Sequence, residues 1–165
     1  MNDRDDFLPE VRNKAWKTIF SYENGVLIWK VGQRKDKQAG TINGSGYTVF
    51  KHEKKIYLVH RVVFEMHWGI VPNRIDHING NRSDNRIENL RQCTASENQS
   101  NQKKSVKNTS SVKDVFWTPK VSKWRVRVQF DKHRKDFGYY KELDTATLVA
   151  KQAREQMHKE FACHE

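Results

Sequence analysis

The sequence predicts an α+β fold assembled from small modules: an N-terminal antiparallel sheet, a strand–strand–helix unit, and a C-terminal three-stranded sheet plus helix. Three observations carry this. Short β-branched and aromatic runs separated by turn residues dominate the chain before residue 60. A polar, asparagine-rich stretch at 74–98 interrupts them, and an unbroken alternating run at 123–130 precedes a segment of helical period. At 165 residues and 36% hydrophobic content, the chain can hold one ordinary domain or two to three small modules, and a modular chain fits the composition better.

The elements follow in order. "GVLIWK" (25–30), "GYTVFK" (46–51) and "KIYLVH" (55–60) are strand runs, parted by "NGSG" (43–46) and "HEKK" (52–55), which makes a small antiparallel sheet. From His60, the residues Val63, Phe64, His67 and Trp68 recur at helical spacing until Gly69 and Pro72 stop them. "RIDHI" (74–78) alternates as a strand, "NGN" (79–81) signals a turn, and "NLRQC" (89–93) returns as the second strand of a hairpin with a long polar loop. "TASE" (94–97) fits a capping box, so a helix begins at Ala95 and carries Asn98 in its first turn.

"NQKKSVKNTSS" (101–111) lacks apolar periodicity and marks an exposed connection. The expected domains are therefore 1–101, a basic linker at 102–111, and 112–165. In the last, "VFW" (115–117), "KWRVRVQF" (123–130) and "HRKDFGYY" (133–140) form a meander. Its central strand sets Trp124, Val126, Val128 and Phe130 on one face and Lys123, Arg125, Arg127 and Gln129 on the other. "DTATLVAKQAREQMHKEF" (144–161) is a helix whose Ala146, Val149, Ala150, Ala153 and Met157 cover the sheet. The five tryptophans are expected mainly in cores.

Charge narrows the function. The 31 Lys and Arg against 20 Asp and Glu give +11 and a pI near 9.7, the footprint of a partner carrying phosphates. Lys103, Lys104, Lys107, Lys123, Arg125, Arg127 and Arg134 lie in the most basic stretch and, with Gln129 on the same strand face, are expected to contact DNA. Arg61, beside His60, divides evenly between helix packing and a phosphate contact. No apolar run approaches the roughly 18 residues of a spanning helix, and the acidic start with Asp3, Asp5 and Asp6 is no signal peptide, so a soluble intracellular protein without a membrane partner is expected. Cys93 and Cys163 stand apart from any C-x-x-C pair, which argues against a disulfide framework and against structural zinc.

The central stretch holds the chemistry. Asp76 and His77 on a strand and Asn98 on the next helix could bring carboxylate, imidazole and amide oxygen together, a donor set suited to Mg²⁺, which takes a few oxygen ligands and keeps waters. The bland alternative is a set of turn formers and a cap.

"LVHRVVFEMHWG" (58–69) followed by "RIDHINGNRSDNRIENLRQCTASENQSN" (74–101) resembles the HNH endonucleases of phages and mobile introns, in the branch whose first motif is Asp-His and whose last residue is Asn. The resemblance runs from about Leu27 to Asn101 and implies a ββα-metal nuclease acting on double-stranded DNA. Carried over, Asp76 and Asn98 hold the divalent ion, His77 is the general base and Asn89 ties the loop to the hairpin. It further implies Mg²⁺, with Mn²⁺ able to substitute, no small-molecule cofactor, 5′-phosphate and 3′-hydroxyl products, and a bacterial cytoplasm if phage-encoded. The oligomeric state is open, a monomer being favoured. Residues 112–161 resemble the ethylene-response-factor type of DNA-binding domain through the "KW-R-R" strand, the "FGYY" step and the helix, which implies strands in the major groove. Gln129 and Asp136 do not by themselves secure that domain's base contacts. The competing function is a DNA-binding protein that keeps the fold without cutting.

Overall fold

A computed structural model describes residues 16–101, 110–131 and 133–162. Lys103, Lys104 and Lys107 lie outside the described residues. The fold is α+β, built of small antiparallel sheets with a C-terminal three-stranded sheet plus helix. It divides into two compact units, Met1–Thr94 and Ala95–Glu165.

The N-terminal unit opens with α1 (Trp16–Ile19) and β1 (Phe20–Glu23), which pairs antiparallel with β2 (Val26–Trp29) in the register Phe20↔Trp29. That hairpin has a partner strand, "FSYE", which the alternation alone does not advertise. Its turn is Asn24-Gly25, both at positive φ (45° and 89°), the chemistry a two-residue hairpin demands. Gly25 is needed twice over, because a Cβ there would lie 2.8 Å from the backbone nitrogen of Arg86. The first hairpin thus abuts the loop that carries the site.

Strands β3 (Thr41–Ile42), β4 (Thr48–His52) and β5 (Lys55–Leu58) form a meander in that order. Helix α2 (Val59–Trp68) follows β5 directly and ends at Gly69 in the left-handed region, whose N–H reaches the Glu65 carbonyl at 2.9 Å. Its apolar stripe (Val59, Val62, Val63, Phe64, Met66) is buried with Trp16, Phe20, Leu27, Trp29, Phe50 and Leu90, each such side chain contributing about 1.5–3 kcal/mol. The Trp16 indole donates to buried Glu65 Oε2 at 2.7 Å, so the ring's polar edge is satisfied inside this core. A last hairpin pairs β6 (Ile75–His77) with β7 (Leu90–Gln92).

The C-terminal unit contains α3 (Ala95–Ser100), then β8 (Val115–Thr118), β9 (Lys123–Phe130), β10 (His133–Tyr140) and α4 (Leu143–His158). The sheet order is β8-β9-β10, a meander as the turns predict. Val115, Val126, Ala146 and Ala150 form its core, and the small alanines let α4 lie close on the sheet. One anchor of α4 has no sequence signature. Arg154, only 2% exposed, donates to the Lys113 carbonyl at 2.7 Å and pairs with Asp114 at 3.3 Å. Two tryptophans depart from the core expectation: Trp68 is 64% and Trp117 43% exposed.

Candidate active site and nucleic-acid surface

Antiparallel pairing in the β6–β7 hairpin sets Asp76 opposite Arg91 and His77 opposite Leu90. Asp76 and His77 are both buried, at 5% and 4% exposure. Successive strand residues face opposite sides, so the two side chains leave the backbone in different directions. Asp76 Oδ2 accepts from Arg91 Nε at 3.0 Å and Nη2 at 2.9 Å, a cross-strand ion pair that compensates the buried carboxylate.

His77 is held from several sides. Its Nε2 lies 3.3 Å from Asn85 Oδ1, and Asn85 in turn donates its Nδ2 to the Ser83 carbonyl at 3.1 Å. That second bond orients the amide with its oxygen toward the imidazole, so Nε2 must carry the proton and Nδ1 the lone pair. Burial pushes the His77 pKa below its ordinary value, against the opposing pull of Asn85 and Asp76. The ring is therefore neutral at physiological pH and able to accept a proton.

Two aromatic neighbours pack around it. His60, from α2, meets His77 edge-on with centroids 5.0 Å apart, and Tyr47 lies 5.3 Å from His60 and 6.0 Å from His77. His60 is buried, its Nδ1 has no hydrogen-bond partner among the described residues, and burial, with smaller effects from His77 and Arg61, pushes its pKa down to about 3. Arg82 covers the outer side of Tyr47 at 5.1 Å and donates to the Ser45 carbonyl.

The loop between the strands is a polar scaffold. Asn89 accepts from the Asn79 N–H at 3.0 Å and donates to the Asp84 carbonyl at 2.8 Å, clasping the loop's two limbs. Asn79 and Asn81 cap successive turns by accepting backbone N–H groups two residues on. Asp84 takes the Arg86 side chain through both oxygens, which holds its carboxyl well below the usual range. Asparagine recurs here because each amide offers both a donor and an acceptor to a loop with no ladder.

The other expected site residues are placed as follows. Asn98 sits in α3, half-buried, and belongs to the C-terminal unit. The Arg61 guanidinium donates to the carbonyls of Pro72 and Asn73, so it holds the chain entering β6. Arg125, Arg127, Gln129 and Arg134 line one groove of about 370 Å³ on the β8–β9–β10 sheet with Phe116, Thr118 and Asp114, and Lys123 lies on the same strand. These cations are not free. Asp136 takes Arg125 through both oxygens at 2.6 and 2.8 Å and Arg127 at 3.4 Å, while Arg134 donates to Gln129 Oε1. Asn85 and His60 are the residues that spacing did not single out, since their roles depend on rings and amides that only the folded hairpin and helix bring together.

Asp76 offers hard carboxylate oxygens, and a carboxylate with about four lone-pair sites can take an ion beside the two Arg91 bonds. Among the described residues no group of three or more His, Cys, Asp and Glu side chains could hold a metal. Among the described residues no helix is long and apolar enough to cross a membrane.

The HNH endonuclease family matches residues 57–100, which span α2, the β6–β7 hairpin and α3. Protein 3.8 of Escherichia phage T7 is 31% identical over 105 residues, covering 62% of this chain and 86% of that protein. No solved structure matches the chain. With buried Asp76 and His77 on the matched hairpin, the chain belongs to the family of phage T7 Protein 3.8 and carries an HNH endonuclease domain.

Proposed function

We propose that the protein is a metal-dependent endonuclease that hydrolyses phosphodiester bonds in double-stranded DNA, of the mobile-element type, with the C-terminal sheet helping to choose the site. The observation that carries this reading is His77: buried, kept neutral, and fixed by Asn85 in the tautomer that leaves Nδ1 basic. A scaffold that only binds DNA has no need of that arrangement.

His77 Nδ1 takes a proton from water as its oxygen attacks phosphorus. The new P–O bond forms as the bond to the 3′ oxygen breaks, and that oxygen leaves as a 3′-hydroxyl once protonated, with the phosphate on the 5′ end. Asp76 and Asn98 would hold the ion, with Arg91 keeping the Asp76 carboxylate on its strand. Bound there, Mg²⁺ (or Mn²⁺) supplies positive charge to the scissile phosphate and the leaving oxygen. Asn89 fixes the loop that carries Asn85, and Asn85 fixes His77. In the C-terminal unit Lys123, Arg125, Arg127, Gln129 and Arg134 face DNA in an ethylene-response-factor-like manner, and Lys103, Lys104 and Lys107 add phosphate contacts. Arg61 keeps a structural role in this reading.

The test is supercoiled plasmid with Mg²⁺, Mn²⁺ or EDTA. Cleavage that requires the ion is expected, and His77→Ala should lower the rate by about 10²–10⁴-fold, the usual worth of a general base, while leaving DNA affinity unchanged. Undiminished cutting by that variant would remove His77 from the mechanism.

A further inference from the structure

The N-terminal unit holds a second groove, of about 560 Å³, lined by none of the residues assigned to the candidate site. It lies against β4 and β5, with Trp29 and Phe50 at its floor and the cations Arg34, Lys37 and Lys51 along its walls. Lys35, Lys54 and Lys55 flank these in sequence, and all six are exposed. The segment's acids, Asp36 and Glu53, do not pair with the three lining cations, and no other carboxylate among the described residues does. The Arg34 guanidinium is instead laid against the Trp29 ring at 5.7 Å. This is the reverse of the C-terminal sheet, where Asp136 already occupies Arg125 and Arg127.

Strand β4 links the groove to the site in sequence. Tyr47, packed beside His60 and His77, immediately precedes β4, and Val49 and Lys51 share one face of that strand. At about 3.3 Å per strand residue, Lys51 lies roughly 13 Å along the chain from Tyr47, a reach that a short stretch of duplex spans. Exposed cations that line one groove, with no described carboxylate paired to them, match a phosphate backbone better than a solvated face.

We propose that Arg34, Lys37 and Lys51 form a phosphate-binding track for the duplex flanking the scissile bond, supplying sequence-independent affinity from the nuclease unit itself. This rests on the nuclease reading, because it takes the DNA being cut as the occupant. The track contributes equally before and after the chemical step, so its loss raises KM and leaves kcat unchanged.

The experiment measures fluorescence anisotropy of a labelled mixed-sequence duplex with the full chain in EDTA, across a salt series. R34A/K37A/K51A should bind more weakly, with the log–log salt slope reduced by about 0.9 for each lost contact. The charge-conserving R34K/K37R/K51R should keep the parent's slope, since the contact is electrostatic. In Mg²⁺, the Ala variant should cut with raised KM and the parent's kcat. An Ala variant that binds with the parent's affinity and slope overturns the track, as does a charge-conserving variant that falls as far as the Ala one. A parent that never cuts, yet binds DNA through these three cations, would leave the track standing and sink the nuclease reading. Cutting by the parent with unaltered binding by the Ala variant would do the opposite.

Discussion

Two Asp–Arg pairs in this protein use the same groups to opposite ends. Asp76 and Arg91 face each other across β6–β7, their side chains 6% and 15% exposed; Asp136 holds Arg125 and Arg127 across β9–β10, with side chains 46%, 29% and 33% exposed. Arg91 compensates a carboxylate that the fold has removed from water, whereas Asp136 restrains two cations that water already solvates. Burial, not contact distance, decides what each pair is worth.

Breaking the buried pair gives the largest stability effect. Arg91→Ala takes the cross-strand cation away from the buried Asp76 carboxylate and should cost up to about 3–5 kcal/mol, a loss read from urea or thermal unfolding. Mg²⁺ should raise the variant's melting temperature more than the parent's, because a cation there replaces the lost compensation. An unchanged melting point would show that the carboxylate finds another partner.

The loop sharpens the contrast, since its stability comes from neutral amides. Asn89→Ala leaves the Asn79 N–H and the Asp84 carbonyl without their partner, at about 1–3 kcal/mol. Activity should fall with the melting temperature. A variant that melts like the parent but cuts slowly would move Asn89 from holding the loop to the chemistry.

A third effect comes from His60, with a definite sign. Its pKa is about 3 in the fold against about 6.5 unfolded, so between those values the unfolded chain binds the extra proton. The contribution is intact above about pH 6.5 and is lost as pH falls, by up to about 1.4 kcal/mol per unit. His60→Phe keeps an aromatic ring without the titrating nitrogens, so its urea midpoint should depend less steeply on pH between 6 and 4. Equal slopes would exclude His60 as the source.

How much of this was legible in the sequence depended on whether the signal was local. The β9 alternation, the Gly69 stop and the "NGN" turn are local, and the strands and helix form where they predict. The β1–β2 pairing was hidden because "FSYE" is short and mixed, although Asn24-Gly25 marks the turn. Asp76 and His77 were visible as a motif, but Asn85 could not be ranked above Asn79 or Asn81, since all are turn formers and only the fold shows which amide faces the imidazole. The cationic strand of β9 was readable as charge, while its neutralisation was not. Asp136 reaches it only through cross-strand register, which runs unbroken from the turn to set Asp136 opposite Arg127 before a bulge ahead of Gly138.

That register yields the smallest effect on stability and the most informative one on recognition. Asp136→Ala removes an exposed partner, so it should change stability by less than about 1 kcal/mol. It releases Arg125 and Arg127 from a fixed geometry, and two free guanidinium groups beside the same groove can then take phosphates. Affinity for mixed-sequence DNA should rise, and the salt slope should steepen by up to about 0.9 per new contact. Discrimination between sequences should fall, because base-edge contacts need arginines held at a set angle, whereas phosphate contacts do not. Cleavage maps of the parent and the variant on one long DNA at fixed salt separate the outcomes. Weaker, equally selective binding would mean that Asp136 itself touches the DNA, and an unchanged map with unchanged affinity would mean that this sheet face does not meet it.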